Sequence, residues 1–172
     1  HYPLRRQRQM CIRDSAMTAA SAALGWAEDY RGVSIGVRLG MQALVGALGT
    51  AAMIVALGIP AWWWPVGVLA TVAYVNIANF MDGINGISGL HGGVVGLFYA
   101  WAGAANGMPW MVCAGLALAG AFLGFLPWNL GRGTVFLGDV GSYVLGGAIA
   151  AIAIGAFLSG VYVEYLLSLI HI

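Results

Sequence analysis

Charged residues are scarce in this chain. Only 8% of its 172 residues are Asp, Glu, Lys or Arg, while 61% are hydrophobic. Soluble domains carry about 25% charged residues, so the composition excludes a soluble domain and a disordered chain. The formal net charge of +1 gives no basic surface for nucleic acid, and we expect no nucleic-acid partner. The composition also excludes a disulfide scaffold. The two cysteines, Cys11 and Cys113, are far apart in sequence, and Cys113 is expected inside a membrane span, which predicts no bridge.

The few charges leave three long uncharged stretches, over residues 39–81, 83–131 and 140–163. A membrane-spanning helix needs about 20 apolar residues, so the stretches accommodate two, two and one spans. The 27 glycines favour closely packed membrane helices. The sequence therefore predicts an all-α fold, a polytopic transmembrane helix bundle with about five spans: Leu39–Ile59, Ala61–Phe80, Ile87–Ala105, Trp110–Trp128 and Tyr143–Val163.

Glycine, proline and tryptophan mark the predicted helix boundaries. The runs 58–60 and 106–109 break the first and second pairs of spans. Tryptophans beside these breaks, among them Trp62 and Trp110, are expected at the membrane interface. The GxxxG pairs Gly92/Gly96 and Gly120/Gly124 predict close helix packing. His91, which follows the second polar loop, is interpreted as a packed or interfacial histidine.

Both ends of the chain differ from its centre. Residues 1–15 hold four of the seven arginines and are interpreted as a non-native or disordered arm, of vector or adapter origin. A genuine basic cytoplasmic arm is the alternative. Residues 164–172 are likewise interpreted as a non-native tail, so residues 16–163 form a single transmembrane catalytic-core fragment. Ala16–Trp26 is too short to span a membrane, and we expect it to end a helix whose beginning is missing.

Counting spans places the polar loops on one side. Arg31 and Arg38 precede the first span, and the positive-inside rule assigns them to the cytoplasm. Two spans later the chain returns to that side at residues 76–88, and after two more it returns again at residues 127–142. Three loops, over residues 26–32, 76–86 and 129–142, therefore share one membrane face.

Each of these loops carries an acid: Asp29, Asp82 and Asp139. Asn76, Asn79 and Asp82 are three residues apart, which places them on one face of a helix end. Clustered carboxylates suit Mg²⁺, which leaves coordination positions for substrate phosphates. The start of the last span at residues 141–142 is expected to help bind a phosphate. The sequence predicts metal-assisted phosphoryl chemistry at the membrane surface.

Two other classes of protein remain open. A membrane transporter or ion carrier would line a path with polar residues deep in the spans. A structural membrane subunit would not bring the three acids together. Asp-Gly and Asn-Gly are also common turn sequences, which is a purely structural explanation of these loops.

The loop sequences resemble a known family. NIANFMDGINGISG is similar to NxxNxxDGxDGLAxG, a signature of the polyprenyl-phosphate N-acetylhexosamine-1-phosphate transferases, glycosyltransferase family 4. PWNLGRGTVFLGDVGS resembles the family's FNxPPAxxFMGDxGS loop, and GWAEDYRGVSIGVRLGMQAL resembles its GxxDDxxGLSxxxRLxxQ segment. The three motifs occur in family order, and the resemblance covers about Ala16–Val163. Family members start the synthesis of lipid-linked peptidoglycan, O-antigen or teichoic-acid precursors.

The resemblance implies a reaction, a cofactor and a location. N-acetylhexosamine-1-phosphate passes from a UDP-sugar to polyprenyl (undecaprenyl) phosphate, UMP is released, and Mg²⁺ is required. The partners are then UDP-N-acetylhexosamine, the lipid phosphate and the membrane, and a homodimer is left open. The expected location is the inner (plasma) membrane, with several spans and a cytoplasmic active site. Direct attack by the lipid phosphate and a covalent intermediate both stay open.

Residue roles follow by position. Asp139 matches the magnesium-binding aspartate, Asp82 an aspartate essential for activity, and Asp29 the proposed base toward the lipid phosphate. Asn79, Asn129 and Phe136 match positions that line the family's uridine pocket. Asn85 and Arg132 are further expected substrate contacts. Glu28 and Asn76 are weaker candidates.

The chain also departs from the family pattern. Glu28 replaces the first acid of the Asp-Asp pair, Asn85 replaces an aspartate, and residues 131–133 read Gly-Arg-Gly instead of Pro-Pro-Ala. A later histidine-containing loop and helices at both ends of the family pattern are missing. We therefore expect a central fragment that is inactive alone.

Overall fold

The computed structural model describes residues 4–130 and 135–161. This part of the chain is all-α, which confirms the predicted fold class. A short 3₁₀ helix, Ala61–Trp63, precedes the third α-helix. The α-helices are α1 (Leu4–Arg31), α2 (Ile35–Leu57), α3 (Trp64–Met81), α4 (Ile87–Ala105), α5 (Pro109–Leu130) and α6 (Gly138–Leu158).

Within the described residues, four segments are long and apolar enough to cross a membrane. They are α2, the segment Ala61–Met81 that contains α3, and the helices α5 and α6. Helix α4 has the predicted bounds of the third span, but it is not among the four. Ser88, His91 and several glycines lower its mean hydropathy. The architecture is therefore that of a multi-pass helix bundle, with a span count close to the predicted five.

Helix α1 differs from the sequence prediction. It runs without a break from Leu4 to Arg31, so residues 4–15 form part of a helix and not a disordered arm. Met10 and Asp14 on this segment are buried in the bundle. Burial of side chains along one face explains why α1 extends to Leu4. The high charge content of this segment did not indicate such burial. The origin of residues 1–15 stays a prediction, and residues 164–172 lie outside the described part.

Helix α6 lies at the centre, packed against α1 and α3. Small residues permit these close contacts. A Cβ atom on Gly146 would lie 2.5 Å from the Cα of Val75 in α3, and one on Gly147 would overlap the side chain of Ser21 in α1. Near the start of α6, a Cβ on Gly25 of α1 would overlap the carbonyl oxygen of Asp139. Glycine at position 25 thus lets α1 approach the first turn of α6.

Helices α4 and α5 form a tight antiparallel pair. A Cβ on Gly96 would lie 2.5 Å from the backbone nitrogen of Ala119, which confirms this glycine as a packing contact. The prediction for Gly120 and Gly124 is wrong, because nothing among the described residues lies within 4 Å of a Cβ built on either. GxxxG spacing indicates a flat helix face but does not determine which neighbour it meets.

The predicted breaks are observed. Helix α2 ends at Gly58, which adopts the left-handed conformation with φ 67°, and a turn at residues 106–107 separates α4 from α5. Trp62 beside the first break is 62% exposed, whereas Trp110 beside the second is only 1% exposed and packs inside the bundle. Both cysteines are free, as predicted.

Candidate functional site

Three polar segments meet at one end of the bundle. They are the end of α1, the turn 82–86 between α3 and α4, and residues 135–139, which lead into α6. Asp29, at the end of α1, accepts a hydrogen bond from the backbone of Asp139. Asn79 of α3 donates to the Asp139 side chain, and Asn129 of α5 bonds to the backbone on both sides, at Gly86 and at Val135. The fold therefore brings Asp29, Asp82 and Asp139 to the same end of the molecule.

Asp139 lies in the first turn of α6 and is held by α3. The Nδ2 of Asn79 donates to Asp139 Oδ1 at 2.5 Å and to Ser142 Oγ at 3.0 Å. The sequence analysis expected Ser142 at a phosphate site and not as a partner of Asn79. The hydrogen bond of Asn79 uses one lone pair of Oδ1, so the described residues leave Oδ2 and the second lone pair of Oδ1 for a ligand.

Asp29 binds the N-terminus of α6. Its Oδ1 accepts the backbone N–H of Asp139 and its Oδ2 that of Val140, each at 3.0 Å. Helix N-termini have unpaired N–H groups and a positive dipole end, both of which favour a carboxylate. The expected phosphate site at residues 141–142 is therefore wrong in position. The helix begins at Gly138, and Asp29 already occupies its first turn.

Asp82 follows the last residue of α3 and is half-buried. Its Oδ1 accepts a hydrogen bond of 2.6 Å from the buried hydroxyl of Ser88. Burial raises the pKa of Asp82 above its ordinary value, the Ser88 hydrogen bond lowers the pKa, and the charge of Asp139 raises it. The two acids are thus close enough to influence each other electrostatically.

Glu28 points toward α2 and not toward the other acids. Its Oε1 pairs with the Nη1 of Arg38 at 3.5 Å. This residue was a weaker candidate, and its ion pair explains how a longer side chain is accommodated beside Asp29. Arg38 was not a candidate in the sequence analysis, although it lies in the weakest of the three motifs.

Asn76 is directed into the bundle. Its Nδ2 donates to Gln42 Oε1 of α2 at 2.5 Å and to the carbonyl oxygen of Val72 at 2.7 Å. Gln42 is 2% exposed and was also not a sequence candidate. Both amide protons of Asn76 are therefore used within the bundle, and the structure assigns this residue to the contact between α2 and α3.

Asn129, the penultimate residue of α5, connects two loops. Its Oδ1 accepts the backbone N–H of Gly86 at 2.6 Å, and its Nδ2 donates to the carbonyl oxygen of Val135 at 3.0 Å. The side chain is buried, with 6% of the residue exposed. The sequence analysis expected a substrate contact at this position, whereas the structure shows contacts with the backbone.

The remaining candidates lie at the edge of this site or outside the described residues. Asn85 is exposed in the turn before α4, and Phe136 is 75% exposed before α6. Arg132 lies outside the described residues. His91 is packed as expected, with its Nε2 3.1 Å from the hydroxyl of Tyr74.

The oxygen donors at this end suit a hard divalent cation. Asp139 and Asp82 each retain one carboxylate oxygen among the described residues. The described part of the chain contains no group of three His, Cys, Asp or Glu side chains arranged to hold a metal. One or two carboxylates are typical of Mg²⁺ sites completed by water and substrate phosphates, so the residues present fit such a site.

A bundle of membrane-spanning helices with acidic loops gathered at one end defines a polytopic membrane protein with a polar site at its surface. Residues 15–157 match the model of glycosyl transferase family 4, and the chain belongs to this family.

Relatives of known name agree with the family. The chain is 34% identical over 167 residues to a phospho-N-acetylmuramoyl-pentapeptide-transferase of Synechococcus elongatus, which covers 81% of this chain and 45% of the relative. It is 35% identical over 155 residues to the protein of that name from Moorella thermoacetica, covering 77% and 49%. The chain thus spans less than half the length of these relatives.

Proposed function

We propose that the protein carrying this chain transfers N-acetylhexosamine-1-phosphate from a UDP-sugar to polyprenyl phosphate and releases UMP. The observation that carries the proposal is the junction of three loops at one end of the bundle, where Asn79 holds Asp139 beside Asp82 and Asp29. Membership of glycosyl transferase family 4 supports the reaction class.

The position of the site suits these two substrates. A polyprenyl phosphate lies in the bilayer with its phosphate at the surface, whereas a nucleotide sugar is dissolved in water. Asp82 follows the end of α3, and Asp139 lies in the first turn of α6, so both acids are at helix ends. This arrangement favours surface chemistry over a transport path, which would need polar groups within the spans. We place the site on the cytoplasmic side of the inner membrane.

Asp139 and Asp82 would hold Mg²⁺ through their remaining carboxylate oxygens. When bound, the cation would screen the repulsion between two anionic substrates and stabilise charge on the transferring phosphoryl group. Asn79 orients Asp139 by its hydrogen bond. Asp29 is the proposed base toward the lipid phosphate, although its two oxygens accept N–H groups of α6 in this structure.

The transferred sugar defines the biological step. The names of the relatives designate phospho-N-acetylmuramoyl-pentapeptide as the group that those proteins transfer. UDP-N-acetylmuramoyl-pentapeptide is therefore the first donor to test, followed by other UDP-N-acetylhexosamines. Each would start the synthesis of a cell-envelope polysaccharide on its lipid carrier.

The test measures UMP release from a panel of UDP-sugars with undecaprenyl phosphate and Mg²⁺. Because the chain spans less than half the length of its relatives, the complete protein and this chain are assayed in parallel. We expect release by the complete protein and none by this chain alone.

Three variants of the complete protein make the test specific to the site. Asp139→Asn and Asp82→Asn should each lower the rate about 100-fold or more, since each removes a negative oxygen ligand of the proposed Mg²⁺ and so weakens the charge stabilisation that the cation would give the reacting phosphates. Asn106→Ala is the control, because the side chain of that asparagine donates to the carbonyl oxygen of Ala102, at the end of α4 opposite the site. Full activity of Asp139→Asn, or no release with any donor, would contradict the proposal.

A further inference from the structure

The side chain of Asn129 has an unusual position between two loops of the site. Its carbonyl group accepts the N–H of Gly86, which lies before α4, and its amino group donates to the carbonyl oxygen of Val135, which lies before α6. We call these two hydrogen bonds the Asn129 bridge. One buried side chain thus connects backbone segments that are far apart in the sequence.

Only asparagine has the chemistry that the Asn129 bridge requires. The position needs an acceptor and a donor on one short planar group. Aspartate has a similar shape, but its carboxylate would face the Val135 carbonyl oxygen without a proton to share. Leucine of similar size would leave both backbone groups unpaired. The bond to Gly86 is buried, which keeps water from replacing it, whereas the bond to Val135 is only partly buried.

Gly86 is constrained from several sides. Its carbonyl oxygen accepts the N–H of Leu90 in the first turn of α4, at 2.8 Å. Its φ of 90° is in the left-handed region, and a Cβ there would lie 2.5 Å from Cδ2 of Leu130. The last two residues of α5, Asn129 and Leu130, therefore determine together where α4 begins.

Both ends of the bridge are close in sequence to an acid of the site. Ser88, two residues after Gly86, donates the hydrogen bond to Asp82. Asp139 follows Val135 by four residues at the start of α6. A change in either bond of the bridge would shift one acid relative to the other.

We propose that Asn129 is a positioning residue, which sets the relative placement of Asp82 and Asp139 through the backbone and does not contact the nucleotide. The placement of the two acids by the Asn129 bridge follows from the geometry alone. The effect of this placement on turnover rests on the proposed function.

The structural part is tested by hydrogen–deuterium exchange of this chain in detergent micelles. The Gly86 amide should be protected in the wild type. Asn129→Leu should increase its exchange about tenfold, since the N–H loses its acceptor. Asn129→Asp keeps that acceptor and should leave Gly86 protected. Asn106→Leu, which removes an asparagine at the opposite end of α4, is the matched control and should leave Gly86 unchanged.

The catalytic part is tested on the complete protein with the same aspartate variant. A positioning role predicts that Asn129→Asp lowers kcat and leaves the KM for the UDP-sugar within about twofold, because the acids are displaced while the nucleotide contacts remain. A higher KM with an unchanged kcat would overturn the proposal and make Asn129 a substrate contact. Rapid exchange of Gly86 in the wild type would overturn it even if Asn129→Leu failed to fold. If the Gly86 amide is protected but the complete protein transfers no sugar, the proposed function is refuted and the structural role of Asn129 stands.

Discussion

Replacing Asn79 by alanine should lower the free energy of unfolding, because it removes the hydrogen bond between Asn79 and Asp139. The Nδ2 of Asn79 lies 2.5 Å from Asp139 Oδ1 and 3.0 Å from Ser142 Oγ. A hydrogen bond to a charged group contributes about 1.5–3 kcal/mol, and a neutral one about 1 kcal/mol. Asn79 and Asp139 are partly exposed, so water can replace part of the bond between them, and we take the lower end of the range. The expected loss of unfolding free energy is about 2 kcal/mol.

A double-mutant cycle isolates the pairwise contribution. Equilibrium unfolding in mixed micelles is measured for the wild type, Asn79→Ala, Asp139→Ala and the double variant. The coupling energy should be about 1.5 kcal/mol, because removal of either partner already breaks the bond. Asn106→Ala should show no coupling with Asp139→Ala. A coupling energy of less than about 0.5 kcal/mol between Asn79 and Asp139 would refute the assignment of this bond.

Three further predictions concern the same end of the bundle. Gly25→Ala should destabilise the chain in thermal unfolding because its methyl group would overlap the carbonyl oxygen of Asp139. Gly36→Ala should not, because its methyl group would meet none of the described residues within 4 Å. Burial raises the pKa of Asp82 in the fold, so the contribution of Asp82 to stability is greatest below the pKa of the unfolded chain and decreases as the pH rises through the folded pKa. Ser88→Ala should raise that pKa further and move the decrease to higher pH, as measured by unfolding free energy against pH; no movement would contradict the Ser88 bond. Chelation of divalent cations should abolish UMP release by the complete protein and added Mg²⁺ should restore it, whereas undiminished release in EDTA would exclude a metal requirement.

Much of the helical frame could be predicted from local sequence. Helix α4 has the predicted bounds, Ile87–Ala105, because a glycine-rich turn precedes it and a polar turn follows it. The break at Gly58 was predictable because its left-handed conformation favours glycine. Burial of apolar stretches and these turns are local properties, and they determine where membrane helices begin and end.

Contacts between distant residues could not be predicted in this way. Helix α6 begins at Gly138 and not at Tyr143, because Asp29 from α1 binds the N–H groups of its polar first turn. The extension of α1 to Leu4 depends on a face that is buried only in the folded bundle.

The same limit applies to the site. The motifs selected Asn76 and Asn129 by residue type, but only the packing shows that their amides bond to Gln42 and to loop backbone. The lengths of the uncharged stretches predicted that the acids lie on one side of the membrane. The partners of each acid depended on the three-dimensional fold.

The central claim, that the loops of the site lie together on one side of the membrane, is tested most directly by cysteine labelling in sealed vesicles of known orientation. Cys11 and Cys113 are first replaced by serine, and single cysteines are placed at Gly83, at the exposed Phe136 and at the exposed Trp62. A membrane-impermeant maleimide should label positions 83 and 136 from the same side and position 62 from the other. Labelling of positions 83 and 136 from opposite sides would contradict the account.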